Sequence, residues 1–220
     1  LEPEDILREI KFHLNQSETS SRRLKVLVTS GGTREPIDGV RSIANTSTGQ
    51  TGTAIARYFA LRGHEVTLVR ARDSVPAPRL NGLHARDFST FSDLQNSLKE
   101  ELGNTPYDAV IHAAAVSDFS LDHIEVNGHA IPPSAKIDSD AAGVLNLFLK
   151  RNPKLVNELR SYSRNESIRI VAFKLTNTRD EAERLKAVQK LAKNAKPDFV
   201  FQNDLSEIDP ARGLHVARIY

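Results

Sequence analysis

A chain of 220 residues is long for a mini-domain and short for two full domains, so one domain with a sizeable core is expected. Its 39% hydrophobic and 26% charged residues exclude a wholly disordered chain, and 30 Lys+Arg against 28 Asp+Glu leave +2, too little for a nucleic-acid platform. With no cysteine there is no disulfide scaffold, no thiolate nucleophile and no Cys-ligated metal, and no apolar run approaches the roughly 20 residues that span a bilayer.

Residues 1–20 are polar and acid-containing, unlike a secretory signal, so a soluble cytoplasmic chain is expected. A first residue of Leu and the absence of Met suit a trimmed chain. Residues 1–23 open with Ile6, Leu7, Ile10, Phe12 and Leu14 loosely at helical spacing, then turn polar, and read as a helical extension and linker ahead of a domain over 24–220. Leu24-Lys25-Val26-Leu27-Val28-Thr29 is a strand entering the glycine turn Ser30-Gly31-Gly32-Thr33. A polar loop follows to Gly49. Ala54, Ile55, Tyr58, Phe59 and Leu61 then form a helical stripe capped by Gly63.

Strands are expected over 65–69 and 109–116, the second nearly continuously apolar as a central parallel strand should be, with a helix over 89–102 between them. Residues 118–133 have no clean period and contain Gly128, Pro132 and Pro133, which predicts a long mobile loop. Beyond it come a strand over 144–149 and a helix capped by Asn152 with Pro153 in its first position. A strand over 168–173 precedes a capping box at Thr178-Arg179-Asp180-Glu181, whose helix should turn Leu185, Val188, Leu191 and Ala192 inward. A last buried strand covers 198–202, ending at Asn203-Asp204. Strands alternating with helices predict an α/β fold: a Rossmann-like, doubly wound, mainly parallel sheet with helices on both faces. Ligands in such sheets bind at the carboxyl ends of the strands, here the segments after Thr29, Val116, Phe173 and Gln202.

Chemistry concentrates in the stretch from Ser30 to Gly52. Gly31 and Gly32 permit close backbone approach, and Ser47, Thr48, Gly49 and Gly52 bring hydroxyls and free N–H groups to a helix start, where an anion such as phosphate is favoured. A ligand-free Gly/Ser connection is the plain alternative. There is no Walker A lysine and no G-x-G-x-x-G. Asp118 lies just past a buried strand, and Lys136 follows the expected mobile loop; a solvated acid and a solvated lysine are their plain readings. Lys186, Lys190, Lys193 and Lys196 on the last helix are equally ambiguous. The seven histidines lack metal-ligand spacing, and no Tyr precedes a Lys by four residues, which argues against a short-chain dehydrogenase.

Several segments, in one order over roughly residues 24–205, together resemble the phosphopantothenate–cysteine ligase family of coenzyme A biosynthesis. They are Val28-Thr29-Ser30-Gly31-Gly32-Thr33-Arg34-Glu35-Pro36-Ile37-Asp38, Val40-Arg41-Ser42-Ile43-Ala44-Asn45-Thr46-Ser47-Thr48-Gly49, Ala113-Ala114-Ala115-Val116-Ser117-Asp118-Phe119, Ala135-Lys136-Ile137, Asn152-Pro153-Lys154-Leu155, Ala172-Phe173-Lys174 and Asn203-Asp204. The resemblance implies a homodimer that joins 4′-phosphopantothenate to L-cysteine with a nucleoside triphosphate, CTP or ATP, and Mg²⁺. The route it implies runs through an acyl-nucleotidylate, and the absence of Cys is no objection because the thiol belongs to the substrate.

By the same resemblance Asn45 contacts the acyl-nucleotidylate, and Lys136 sits on a flap over the triphosphate. Gly31, Ser47, Gly49 and Gly52 cradle phosphates. Ala114, Ala115 and Asp118 line the nucleotide and substrate pocket. Pro153, Lys154, Leu155, Val156 and Phe173 contact the nucleotide, and Asn203 lies at its site. Lys190 and Lys193 are the nearest match to the family's paired lysines, and Arg41 matches an arginine that reaches the substrate phosphate of the neighbouring subunit. Thr48 stands where the family usually has a second serine. Many bacterial relatives carry a flavin-dependent decarboxylase ahead of this domain. Residues 1–23 are too short for one, so the ligase half alone, without flavin, is expected. Two alternatives carry their own signatures: a NAD(P)-binding oxidoreductase would need the missing Tyr/Lys pair and glycine fingerprint, and a non-catalytic binding relative would be expected to lose Asn45, Asp118 or Lys136.

Overall fold

Strand β1 (Lys25–Ser30) lies inside a seven-stranded sheet in the computed structural model, which describes residues 4, 6, 7, 10, 22–131, 137, 143–209 and 214–220. It leads through the short hairpin β2 (Arg34–Pro36) and β3 (Ser42–Ala44) into helix α1 (Gln50–Leu61) and strand β4 (Glu65–Ala71). Strand β5 (Leu83–Phe88), helix α2 (Phe91–Asn104) and strand β6 (Ala109–His112) follow. The chain then leaves the main sheet for β7 (Phe119–Val126), β8 (His129–Ile131) and β9 (Leu145–Arg151), a separate antiparallel sheet. It returns through α3 (Leu155–Tyr162), β10 (Arg169–Thr176), α4 (Glu181–Ala195), β11 (Phe199–Asp209) and β12 (Leu214–Ile219).

The main sheet runs β12-β11-β10-β6-β1-β4-β5, parallel except for the antiparallel edge strand β12. From β1 the chain winds outward to β4 and β5, then crosses back to β6 and winds the other way. The direction therefore reverses between β1 and β6, the switch point at which doubly wound sheets bind ligands. Alternation along β1 explains its unbroken apolar run. Val26 and Val28 pack with Ile55 and Phe59 of α1, while Leu27 faces Leu94 and Leu98 of α2 and Leu155 of α3. Ile6, Leu7 and Ile10 of the N-terminal extension join the α1-side core; the polar linker lies outside the described residues.

Several expectations are corrected. Residues 119–131 form β7 and β8 and not a mobile loop. Asn127 and Gly128, both at positive φ (50° and 82°), make the tight turn that joins them. The turn signal was present in the Asn-Gly pair, but a bulge between Leu121 and His123 breaks the period-2 pattern of β7 and hides the strand. The strand expected over 144–149 exists as β9 but pairs with β7, outside the main sheet. Helix α3 begins at Leu155 after Lys154, because Asn152 spends its side-chain amide on Ser117 O (3.1 Å) and Ser120 Oγ (2.8 Å) instead of capping. Strand β6 stops at His112, although Ala115 still bridges Gly32 in parallel. Along α1, Ala54 and Leu61 are exposed while Ala56 and Ala60 are buried. Strand β11 continues well past Asn203-Asp204 because β12 pairs with it.

Helix α4 also differs. Its N-cap is Asp180, which accepts Ala182 N–H at 2.8 Å, and Thr178 bonds Glu183 instead of completing a capping box. Leu185 and Ala192 face solvent, while Arg184 is buried, donating to Thr178 O (2.8 Å), Ser206 Oγ (3.2 Å) and Glu207 (2.7 Å). Glu207 also pairs with Arg218 at 2.6 Å, and hydrogen bonds from Arg218 and then Arg184 hold its carboxyl down to about 2. A lowered folded pKa means that this stabilisation is complete above the unfolded value near 4.5 and is lost as pH falls toward 2. Glu207→Gln is therefore expected to melt a few degrees below the parent at pH 7, with the gap closing between pH 4.5 and 2 in a thermal-melt series. A gap that persists unchanged to pH 2 would refute the pairing.

Candidate functional site

The loops leaving β1 and β6 are zipped together at the switch point. Thr33 N–H donates to Ala115 O at 3.0 Å and Ala115 N–H to Gly31 O at 2.8 Å. Two threonine hydroxyls complete the seam: Thr29 Oγ1 accepts Ala114 N–H at 3.1 Å, and Thr33 Oγ1 accepts Ser117 N–H at 2.8 Å. A three-alanine run has no bulk to obstruct this pairing, which leaves its outer side open to a ligand.

Two adjoining cavities lie over this seam. The larger, about 540 Å³, runs from Asn45 through the start of α1 to Ala114, Phe173 and Asn203. Gly49 caps α1 at φ +76°, a conformation favouring glycine, and no side chain closes the helix end. With no acidic residue in that first turn, and with only the Gln50 N–H reaching a side chain, the Thr48 hydroxyl at 3.4 Å, the remaining N–H groups and the positive end of the helix dipole face an open space flanked by Ser47 and Thr48. The Asn45 side-chain amide lines the same cavity without a hydrogen-bond partner among the described residues, while its backbone N–H is anchored to Thr33 O at 3.0 Å.

The smaller cavity, about 270 Å³, is walled by Pro153, Leu155, Val156, Phe173, Lys190 and His112. Phe173 stacks on buried Phe201 with centroids 5.4 Å apart. Asp118 and Lys154 form an ion pair on the boundary, touching both cavities, and Lys174 also lines both. Among the described lining residues Asp118 is the lone acid against Lys154, Lys174 and Lys190, a positive balance suited to a polyphosphate. His112, buried at the end of β6, is held down to about 4 by desolvation and so stays neutral near pH 7. Among the described residues no group of three or more acids or histidines is placed to hold a metal.

The chain is similar to known proteins over most of its length. Residues 21–217 match the model of the DNA/pantothenate metabolism flavoprotein C-terminal domain. The chain belongs to this family. A relative from Thermococcus kodakarensis, the coenzyme A biosynthesis bifunctional protein CoaBC, is 32% identical over 202 residues, covering 92% of this chain and 46% of that protein. This chain thus spans about half the length of the curated relatives it matches. Among solved structures, the DNA/pantothenate metabolism flavoprotein of Streptococcus pneumoniae superposes with a TM-score of 0.77 at 29% identity, over 90% of this chain and 91% of that one. A histidine-to-alanine variant of Cab2 in complex with phosphopantothenate-cysteine shares the fold at a TM-score of 0.68 and 21% identity, over 98% and 86% of the two chains.

Within this family member, the cavities gather most of the residues singled out in the sequence. Asn45, Ser47, Gly49, Gly52, Ala115 and Asn203 line the larger, Pro153, Leu155, Val156 and Lys190 the smaller, and Ala114, Asp118, Lys154 and Phe173 both. Gly31, Arg41 and Lys193 line neither. A Cβ on Gly31 would come within 2.5 Å of Ala71 Cβ and 2.9 Å of Ser74 Cβ, so the fold itself demands glycine there. Arg41 pairs with Asp38 at 2.6 Å and donates to Ile137 O at 2.9 Å. Lys193 is exposed in the last turn of α4. Lys136 lies outside the described residues. Lys174 and His112 were missed as site residues: Lys174 stood in the Ala172-Phe173-Lys174 string, whereas His112 has no spacing signal and is placed only by the strand order.

Proposed function

We propose that this chain is a phosphopantothenate–cysteine ligase, joining 4′-phosphopantothenate to L-cysteine at the expense of a nucleoside triphosphate. The observation that carries the reading is the pair of joined cavities. An open helix N-terminus and an unpartnered amide lie in one, a slot walled in part by Pro153, Leu155, Val156 and Phe173 lies in the other, and cationic side chains bound both. The coenzyme A name of the Thermococcus relative and the phosphopantothenate-cysteine held by the like-folded Cab2 variant support it.

The reaction needs placement more than protein chemistry. The substrate carboxylate attacks the α-phosphorus, the bond to pyrophosphate breaks, and an acyl-nucleotidylate forms. The cysteine amine then attacks the acyl carbon, expelling the nucleoside monophosphate and losing a proton. In this reading the α1 N-terminus with Ser47, Gly49 and Gly52 holds phosphate oxygens, and Lys154, Lys174 and Lys190 offset their charge. Asn45 donates to the acyl carbonyl or phosphate as negative charge grows there. Phe173 and the 153–156 segment seat the nucleoside. Lys136 would cover the triphosphate, Lys193 would supply a more distant cation, and Arg41 would serve the substrate phosphate of a second copy in a homodimer. The single acid Asp118, already paired, fits a Mg²⁺ that arrives on the triphosphate with its waters better than a resident protein cage. Such an ion neutralises phosphate charge.

Pyrophosphate release by the purified chain with Mg²⁺ and 4′-phosphopantothenate tests this, with ATP and CTP in parallel. Release should depend on phosphopantothenate, stop near one equivalent per site without L-cysteine, and continue when cysteine is added. The faster nucleotide identifies the co-substrate. No release from folded protein with either nucleotide would overturn the reading.

A further inference from the structure

One buried titratable group at the site has no part in the chemistry above. His112 ends β6 at the switch point, 6% exposed, with Nδ1 3.0 Å from Thr29 Oγ1. That oxygen already accepts Ala114 N–H at 3.1 Å, and Thr29 is fully buried with no further hydroxyl partner. Were the ring proton on Nδ1, the hydroxyl would accept twice and its own proton would be stranded in a dry site. The network therefore assigns the hydroxyl proton to the Nδ1 bond and the ring proton to Nε2.

Among the described residues His112 Nε2 makes no hydrogen bond, yet it is not among the sealed polar atoms that lack a partner, so it keeps an outlet. His112 lines the smaller cavity beside Leu155, Val156 and Phe173, which is the open space available to that nitrogen. Burial keeps the ring neutral. Beside Leu155, Val156 and Phe173, a neutral N–H donor suits a neutral acceptor on a flat heterocycle. Phosphates are served at the other end, by the α1 N-terminus.

We propose that His112 anchors the nucleobase, donating Nε2–H to a ring nitrogen or carbonyl oxygen in the smaller cavity, with Thr29 as the positioning residue that sets its tautomer. This rests on the reading that the chain binds a nucleoside triphosphate. The test is calorimetric binding of ATP and CTP with Mg²⁺, with inorganic tripolyphosphate as the base-free probe. His112→Leu should weaken the better nucleotide about tenfold, the scale of one lost hydrogen bond in a dry site, and leave tripolyphosphate unchanged. His112→Gln, which keeps a donor at similar reach, should recover most of the loss, and Thr29→Val should weaken the nucleotide about threefold by releasing the tautomer.

Equal weakening of nucleotide and tripolyphosphate, or undiminished nucleotide binding by folded His112→Leu, overturns the assignment. If that variant does not fold, unchanged nucleotide binding by Thr29→Val overturns it instead. Nucleotide binding without pyrophosphate release sinks the ligase reading and leaves His112 to be judged on binding. Failure of the parent protein to bind either nucleotide overturns both.

Discussion

Asn45→Asp is expected to cut cysteine-dependent pyrophosphate release by about 10²- to 10³-fold, the cost of removing one donor aimed at developing negative charge. Folding should hardly register the change. The Asn45 side chain is exposed in the larger cavity and has no partner among the described residues, and the backbone bond to Thr33 O is retained. A carboxylate at this point loses both N–H donors and adds a negative charge beside the acyl phosphate. The deficit should therefore appear in kcat more than in KM, with the melting temperature within about 1 °C of the parent, as for other exposed polar exchanges. Full turnover by the variant would remove Asn45 from the chemistry.

Gly32→Ala is expected to be the costliest single methyl group in the site. A Cβ at Gly32 would lie 2.0 Å from Asn45 O and 3.0 Å from Asn45 C, both backbone atoms. Neither side can yield cheaply. Asn45 is tied to Thr33 by a 3.0 Å hydrogen bond, and the Gly31–Thr33 segment is tied to Ala115 by bonds of 3.0 and 2.8 Å. Overpacking of this kind costs about 3 kcal/mol, which lowers the melting temperature of a chain this size by roughly 6–12 °C. Activity should fall as well, because relief of the overlap displaces Asn45. Gly39→Ala is the control: nothing lies within 4 Å of its Cβ position, so stability should stay within about 0.5 kcal/mol. Equal melting temperatures for the two variants would show that the Gly32–Asn45 contact is not rigid.

Much of this site could be read from residues close together in the chain. The strand, glycine turn and helix over 24–61 announce a corner suited to an anion, and α1 ends at Leu61 with Arg62 as its C-cap and Gly63 (φ +81°) in the left-handed position just beyond. The apolar run at 109–112 marks a central strand because both of its faces are buried, which needs no knowledge of the neighbours. The Asn127-Gly128 turn was equally local, but the bulge in β7 scrambled the alternation around it.

What the chain alone determined about this protein, then, is its class of fold and a corner suited to an anion, since hydrophobic period, capping and turn chemistry act over a few residues. The tertiary structure decided which distant segments meet. It carried β7, β8 and β9 out of the main sheet, buried Arg184 where period-3.6 spacing placed Leu185, and laid Ala115 along the loop after β1. It also set Thr29 against His112, 83 residues apart in the chain. Such contacts follow from strand order and from which buried polar groups find partners, and neither leaves a periodic trace in the sequence.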